Sequence, residues 1–355
     1  MKKVLVGMSG GVDSSVAALL LKQHGFDVYG VTLKLRPDEY MQGSLAGGCC
    51  SLDDIEDARR VCAALDIPHY VFNFVDLFSK KVIDYFANEY IIGRTPNPCI
   101  ACNRYIKFEE LLSRALAMGM DYVATGHYAR IKQSADGLRR LYKAPSPKDQ
   151  SYALFSINQQ QLAHTLFPLG DIEDKALTRR LAQEHKLPVA FKPDSQEICF
   201  VENNDYAAFL QKYGNFSFKE GNFVDRNGHI LGRHKGIAHY TIGQRKGLGI
   251  SFGKPMYVTN IDAKAQTVTL GEEGEQYSQT LIADDANWIT QKPEEGARIQ
   301  AKIRYSAKPA AAVINHTKSG GFSLCFDEPQ RSITPGQAVV IYDGDEVLGG
   351  GSIVN

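Results

Sequence analysis

Apolar and polar positions in the first half of the chain follow two periods. Short apolar runs at 3–8, 27–34 and 69–74, and another beginning at 121, are typical of buried strands. Apolar residues recur every three or four positions in four segments that we predict to be helices: 13–24, 51–65, 77–90 and 104–118. This alternation predicts an α/β fold, a doubly wound parallel sheet whose ligands bind beyond the carboxyl ends of the strands.

Beyond about residue 200 the pattern changes to short strands separated by glycines. The Asn227-Gly228 pair lies in an alternating segment and predicts a β-hairpin. Five more strand-rich segments follow: 254–262, 267–272, 297–305, 322–326 and 336–354. We therefore expect two small β domains, the last a β barrel, with boundaries at 1–200, 201–275 and 276–355.

Composition narrows the class of protein. The 355 residues carry a formal net charge of zero, so any nucleic-acid binding depends on local basic patches. No apolar run reaches the length of a membrane span, and the segment after Met1 is too short for a signal-peptide core. With seven cysteines and no such leader, we expect a cytoplasmic protein with reduced thiols.

The strongest motif is "VLVGMSGGVDSSVAALL", in which a strand passes directly into a helix. Gly10 and Gly11 allow the backbone N–H groups to approach an anion closely, as in phosphate-binding loops. Ser9 and Ser14 add hydroxyl donors, and Asp13 orients the loop or helps to hold Mg²⁺. A capped glycine-rich turn is the plainer alternative, and the missing Walker A lysine disfavours kinases and GTPases.

This loop resembles the SGGxDS loop of the N-type ATP pyrophosphatases. The resemblance implies that ATP, with Mg²⁺, adenylates an acceptor oxygen and that pyrophosphate leaves. Members that build amides on small molecules fit the loop alone, and so does a non-catalytic RNA-binding protein if the loop is only structural.

Three cysteines distinguish these alternatives. Cys99 and Cys102 form a C-x-x-C pair in "NPCIACNRYIKF", and Cys199 lies in "DSQEICFV". Such a pair suits half a zinc site, a redox couple or a sulfur-handling site. Cys102 is expected at the start of a helix near Arg104 and Lys107, where the helix dipole and the cations favour the thiolate.

The remaining cysteines have plainer interpretations. Cys62 and Cys325 are interpreted as small buried apolar residues. Cys49 and Cys50 are interpreted in the same way, with a redox-sensitive vicinal pair as the alternative.

Over nearly its full length the chain is similar to the tRNA-specific 2-thiouridylases. The resemblance is carried, in order, by the phosphate loop, "GRTPNPCIACNRYIKF", "ATGHYAR", "KDQSYAL", "KPDSQEICF", "HYTIGQRKGLGI" and "TPGQAVV". It implies ATP-dependent 2-thiolation of uridine 34, with AMP and pyrophosphate released. It also implies glutamate, glutamine and lysine tRNAs as substrates, and a sulfur donor such as a cysteine desulfurase or a sulfur-relay protein.

The resemblance also assigns roles to residues. For ATP binding it implies Gly7, Met8, Ser9, Gly10, Gly11, Val12, Asp13, Ser14, Leu33 and Gly126. Asn97, Pro98 and Cys99 would line the target-base pocket, Cys102 would be the nucleophile, and Cys199 would carry a persulfide. For tRNA contact, with a helical part near 145–195, it implies His127, Lys148, Asp149, Gln150, Arg304, Tyr305 and Gln337.

Cys99 departs from the family, whose best-described members have aspartate at this position. Two sulfur-transfer mechanisms therefore stay open. One uses a Cys199 persulfide and Cys102. The other uses a [4Fe-4S] cluster ligated by Cys99, Cys102 and Cys199, which holds a sulfide at its fourth iron. A zinc site is less attractive because no motif supplies a fourth ligand.

Three basic clusters predict an elongated RNA-binding face. In sequence order their members are Arg139, Arg140, Lys143, Lys148, Arg233, His234, Lys235, Tyr240, Arg245, Lys246, Lys302, Arg304 and Lys308. For any one of them, a solvated surface charge is the plainer interpretation.

Overall fold

The computed structural model describes residues 1–37, 52–194, 198–201, 205–214 and 218–355. Ser51, the predicted helix cap, and the Cys49-Cys50 pair lie outside these ranges. No helix within the described ranges is both long enough and apolar enough to cross a bilayer.

The first part of the chain is built on a parallel sheet. The described residues of this part form seven strands: β1 (Lys3–Gly7), β2 (Asp27–Lys34), β3 (His69–Asn73), β4 (Tyr122–Ala124), β5 (Ala129–Gln133), β6 (Arg139–Lys143) and β7 (Thr165–Leu166). Five of them pair in the order β3-β2-β1-β4-β7. The central β1 is the most apolar strand, and its residues Val4, Leu5 and Val6 have no solvent exposure.

Helices cover both faces of this sheet, so the predicted doubly wound fold is confirmed. The helical segments around it are Val12–Gln23, Leu52–Ala64, Val75–Phe78, Ser79–Ile83, Asp84–Ile91, Pro98–Ala101, Cys102–Leu111, Leu112–Ala117 and Lys175–Glu184. Val4 and Val6 pack with the first two helices in one cluster. Leu5 faces the other side, where it packs with the helices of 75–117.

A continuous helix over 98–117 begins earlier than the sequence analysis predicted. Asn97 caps it, its Oδ1 accepts from the Cys99 N–H at 3.1 Å, and Pro98 occupies the first helical position. These are standard helix-start signals. The predicted start near 103–104 was therefore wrong by about a turn and a half. Because this helix leads back into β4, its first turn lies at the carboxyl edge of the sheet.

The central region is a four-stranded sheet of β8 (Gly221–Val224), β9 (Ile230–His234), β10 (Tyr257–Asp262) and β11 (Thr267–Gly271) in the order β10-β11-β8-β9. The hairpin predicted at Asn227-Gly228 is confirmed, because β8 and β9 pair antiparallel and Gly228 has φ +85°.

The last region is a closed six-stranded antiparallel barrel, as predicted. It contains β12 (Tyr277–Trp288), β13 (Arg298–Lys302), β14 (Ala310–His316), β15 (Phe322–Arg331), β16 (Ala338–Asp343) and β17 (Glu346–Ile353). The strands follow the order β12-β15-β14-β13-β16-β17, and a β12–β17 pairing closes the ring.

A hairpin from the first part of the chain extends the barrel sheet. β5 and β6 pair antiparallel, and β6 pairs with β17 through Tyr142–Glu346 and Leu141–Val347. The sequence analysis did not predict this pairing. It joins the first part of the chain to the barrel through backbone hydrogen bonds as well as packing.

Candidate functional site

The loop after β1 is held tightly against the Leu52–Ala64 helix. Gly10 has φ +69°, and a Cβ at this position would lie 2.3 Å from the Asp54 carbonyl oxygen. Only glycine satisfies both the left-handed backbone and this close approach. Met8 and Val12 are buried, so these two predicted ATP-binding residues offer backbone groups rather than side chains.

Serine hydroxyls close the loop. Ser14 Oγ accepts from the Ser9 N–H at 3.2 Å and donates to the Gly11 carbonyl at 3.1 Å. Ser15 Oγ donates to the same carbonyl at 2.8 Å. Gly11 is the N-cap of the Val12–Gln23 helix, and no side chain caps it. The N–H groups at the N-terminus of this helix are therefore suited to bind an anion.

Three more predicted ATP-binding residues lie along the same edge. Gly126 follows β4, and a Cβ there would lie 2.7 Å from the Ser14 nitrogen, so this glycine permits β4 and the loop to meet. Leu33, near the carboxyl end of β2, is partly buried on the other face of the sheet. Gly7 ends β1 between them.

Asp13 is engaged by residues that the sequence analysis missed. Its two carboxylate oxygens accept from Lys175 Nζ at 2.6 and 2.5 Å, and Oδ1 also accepts from the Tyr128 hydroxyl at 2.9 Å. Burial, and then the charge of Asp13, raise the pKa of Tyr128, which keeps this phenol protonated as a donor. Nothing in the local spacing around Lys175 marks it as a partner of the loop.

Lys175 also bridges to a second carboxylate. Its Nζ lies 3.1 Å from Asp194, which accepts from Arg179 at 2.7 Å. Partial burial alone would raise the pKa of Asp194. The hydrogen bond from Lys175 and the charges of Lys175 and Arg179 outweigh it, so the pKa lies below its ordinary value. Asp13 is thus fixed beside the loop by a charged network.

The cysteines lie around the start of the 98–117 helix. Cys99 is exposed in the first turn, and Cys102 is partly buried one turn further on. Cys99 is therefore closer to the positive end of the helix dipole than Cys102, which the sequence analysis had placed at the helix start. Arg104 and Lys107, the cations expected beside Cys102, bond to Asp285 and to Asn103 respectively.

Cys199 is partly buried and packs, like Cys102, against the cluster under the second face of the sheet. The next residue, Phe200, anchors this segment through ring contacts at 5.8 Å to Phe78, 5.2 Å to Phe86 and 5.1 Å to Phe209. Cys62 is buried, as expected, whereas Cys325 is exposed on the barrel.

His127, predicted to contact tRNA, is buried in this structure. Its ring lies between Phe108 and Phe167 at 6.1 and 5.9 Å, and Nδ1 is hydrogen-bonded to Thr125 Oγ1 at 2.7 Å. Burial, and then the charge of Lys107, hold the pKa of His127 well below its ordinary value. Its RNA contact stays a prediction that requires the ring to become accessible.

The predicted contact segment 148–150 has two structural residues. Asp149 accepts from the Ala144 and Ser151 N–H groups, and Gln150 Oε1 accepts from the Tyr128 N–H at 3.0 Å. Lys148 is exposed beside them. Of the three, the lysine side chain is the most available to a phosphate.

The predicted contacts on the barrel also differ from one another. Tyr305 is 46% exposed, while Arg304 donates to the carbonyls of Arg331 and Ser332. Gln337 is partly buried and donates to the Thr95 carbonyl at 2.8 Å and to the Pro96 carbonyl at 3.4 Å.

The predicted basic face needs correction at several positions. His234 and Tyr240 are 3% and 5% exposed, because they pack in the core of the central sheet. Arg140 is paired with Asp136 and Glu346. The exposed members of the predicted face are Lys148, Arg233, Lys235, Arg245, Lys246 and Lys308.

Three family models match consecutive segments of the chain. They are described as a tRNA methyl transferase HUP domain (residues 2–203), a tRNA methyl transferase PRC-barrel domain (207–272) and an aminomethyltransferase beta-barrel domain (278–353).

Whole-length relatives are also found. The chain is 56% identical over 356 residues to the tRNA-specific 2-thiouridylase MnmA of Acetivibrio thermocellus, covering 99% of both chains. It is 55% identical over 355 residues to the protein of the same name from Clostridioides difficile, covering 99% of this chain and 98% of the relative. The protein of that name from Clostridium beijerinckii is 53% identical over 360 residues, with the same two coverages.

Proposed function

The chain belongs to the tRNA-specific 2-thiouridylase family, and we propose that it replaces O2 of uridine 34 in tRNA with sulfur at the expense of ATP. The uridine oxygen attacks the α-phosphorus of ATP, and pyrophosphate leaves. Sulfur then attacks C2 of the adenylated base, and AMP leaves. We expect the glutamate, glutamine and lysine tRNAs to be the substrates.

The loop supports the ATP step. Gly10 and Gly126 let the loop pack closely against Asp54 and the end of β4, and the first turn of the Val12–Gln23 helix presents N–H groups to phosphate. In the structure Asp13 is paired with Lys175, which favours the orienting role over direct metal binding. Mg²⁺ would accompany ATP, because its phosphates need neutralising charge.

The 98–117 helix supports the sulfur step. Its first turn carries Asn97, Pro98 and Cys99 to the same edge of the sheet as the loop, and they would line the target-base pocket. A persulfide on Cys199 supplies its outer sulfur to C2. The Cys102 thiolate then attacks the inner sulfur, which frees the thiolated base and leaves a Cys102–Cys199 disulfide that an external thiol reduces.

The cluster-based alternative is less well supported. Within the described ranges no three His, Cys, Asp or Glu side chains come together as a metal site. Cys99, Cys102 and Cys199 therefore do not form a preassembled cluster site in this structure, and we favour the persulfide route. Cys99 replaces an acid–base aspartate of the family, so we assign it to the base pocket.

The rest of the chain would hold the tRNA. We propose a catalytic part at 1–200, which accepts sulfur at Cys199, a central domain at 201–275 and the barrel at 276–355. The exposed cations of the corrected basic face would bind phosphates around the anticodon loop. A cysteine desulfurase or a sulfur-relay protein would load Cys199.

The feature that carries this proposal is topological: the Ser9–Asp13 loop follows β1 and the helix that begins at Pro98 leads back into β4, so both belong to the carboxyl edge of the sheet. The test incubates unmodified tRNA with the protein, ATP, Mg²⁺ and a desulfurase with cysteine, followed by mass spectrometry of nucleosides. We expect 2-thiouridine, and we expect Cys102→Ser to abolish it. Cys325→Ser, on the barrel, is the matched control.

A second variant separates the two chemical steps. We expect Asp13→Asn, which releases Lys175 from the loop, to slow tRNA-dependent pyrophosphate release about 100-fold, the cost of a misplaced reacting group. Pyrophosphate release that needs no RNA, together with an active Cys102→Ser protein, would instead identify a small-molecule amide-forming enzyme.

A further inference from the structure

The barrel contacts the segment that leads into the cysteine helix. The Thr95 N–H donates to the Pro335 carbonyl at 2.9 Å, and Gln337 Nε2 donates to the Thr95 and Pro96 carbonyls. Both backbone groups of Thr95 are therefore bonded to the 334–337 loop of the barrel. Within the described ranges, Gln337 is the only residue whose side-chain amide donates a hydrogen bond to residues 94–96.

The 334–337 loop is itself fixed within the barrel. The Gly336 N–H donates to the Ile353 carbonyl at 2.8 Å, and the Ile353 N–H donates back to the Gln337 carbonyl at 2.8 Å. Gly336 has φ +90°, and a Cβ there would lie 2.9 Å from the Thr95 nitrogen. The loop is thus a rigid support pressed against 94–96, with no room for a side chain between them.

Whatever fixes Thr95 and Pro96 also fixes the cysteines. Pro96 and Pro98 restrict the backbone on either side of Asn97, whose side chain caps the helix at the Cys99 N–H. A displacement at Pro96 therefore shifts the cap and, with it, the first turn that carries Cys99 and Cys102. A second contact from the barrel, between Asp285 and Arg104, holds the next turn.

We propose that Gln337 is a positioning residue, through which the barrel sets the orientation of the Asn97–Cys102 turn before tRNA arrives. This rests on the proposed function for its catalytic consequence, and it gives Gln337 a different task from the RNA contact that the family resemblance implies. The amide protons that would donate to RNA are directed at the Thr95 and Pro96 carbonyls.

The test uses the full-length protein with Gln337→Glu, which puts an acceptor opposite two carbonyls, and Gln337→Met, which only removes the donor. Gln300→Glu, on an exposed barrel strand, controls for the added charge. The first readout needs neither RNA nor ATP. It measures hydrogen exchange of the 99–102 amides and the alkylation rate of Cys99 relative to Cys325, which is exposed on the barrel.

We expect both Gln337 variants to accelerate exchange over 99–102 about fivefold, the shift in a local equilibrium that the loss of one hydrogen bond allows. In the same two variants the rate of thiolation at saturating tRNA should fall, while the tRNA Kd and the unfolding midpoint of the barrel stay unchanged. Gln300→Glu should change none of these.

Unchanged exchange in the RNA-free protein, together with a weaker tRNA Kd, would overturn the proposal and return Gln337 to a simple RNA contact. If the wild-type protein forms no 2-thiouridine, the proposed function fails. The RNA-free exchange rates then decide the positioning role on their own.

Discussion

The barrel and the central domain are both small β units, but they join the catalytic part in different ways. The cluster beneath the barrel mixes residues of both parts: Phe108, Tyr152 and Leu154 pack with Val340 and Tyr342. The buried members of the central cluster all fall within 223–270. The central domain also reaches the first part of the chain, since Leu210 and Ala238 pack with its helices, but only the barrel both shares buried residues with that part and pairs with it strand to strand.

This difference separates two tasks. A shared core and the β6–β17 pairing make the barrel part of the framework that shapes the site. The central domain instead contributes exposed cations on its 244–250 loop, including Arg245 and Lys246. The comparison predicts that damage to the barrel junction alters catalysis, whereas damage to the central domain alters RNA affinity.

The largest expected effect comes from opening the shared core. Tyr152 is fully buried and donates to the Ala338 carbonyl at 2.8 Å. We expect Tyr152→Ala to destabilise the protein by about 3–5 kcal/mol. The measurement is denaturant unfolding followed by fluorescence of Trp288, the only tryptophan, which lies in the barrel.

The matched change in the central domain should leave that signal in place. Phe223 is fully buried in the central core, so we expect Phe223→Ala to cost a similar free energy locally without moving the Trp288 transition. Tyr152→Phe controls for the hydroxyl and should cost only about 1 kcal/mol. Equal shifts for Phe223→Ala and Tyr152→Ala would show that the two domains unfold together.

A smaller effect is expected from the charges of the central domain. Arg245→Glu with Lys246→Glu should weaken tRNA binding about tenfold at moderate salt and reduce its salt dependence, because fewer phosphate contacts release counterions. ATP binding should not change. Filter binding across salt concentrations measures this, with Lys292→Glu and Lys318→Glu, both exposed on the barrel, as a charge-matched control. If both double variants lost the same tRNA affinity, the effect would come from overall charge, and the central domain would have no specific RNA-binding face.

The smallest effect is expected at the contact between Arg104 and Asp285. Asp285 is mostly exposed and has φ +50°, a conformation that asparagine also tolerates. Asp285→Asn should therefore cost only about 0.2–1 kcal/mol. Hydrogen exchange of the 104–108 amides would reveal any local loosening. If Asp285→Asn cost more stability than Tyr152→Phe, this ion pair, rather than packing, would hold the barrel against the first part of the chain.

Local sequence patterns correctly predicted the structural features that depend only on residues close together in the sequence. The loop at Ser9–Asp13, the order of strands and helices and the hairpin at Asn227-Gly228 all follow from short motifs. The start of the cysteine helix was also encoded locally, by Asn97 and Pro98, but the prediction relied on apolar periodicity and placed it too late.

Long-range contacts were beyond such patterns. Lys175 meets Asp13 from far along the chain, and β6 finds β17 at the opposite end of the sequence. His234 and Tyr240 looked like members of a basic surface because their neighbours are charged, yet each points into a core. Only the three-dimensional contacts show which residues meet across the chain and which polar residues are buried.

The β6–β17 pairing also has a consequence for how the protein is made. A ribosome exposes Leu141 long before its strand partner Val347 has been synthesised. Since domains fold as they emerge, the nucleotide loop gains its shape early. The Asn97–Cys102 turn stays without the support of the 334–337 loop until the final strands leave the exit tunnel, so the two halves of the proposed site take shape one after the other.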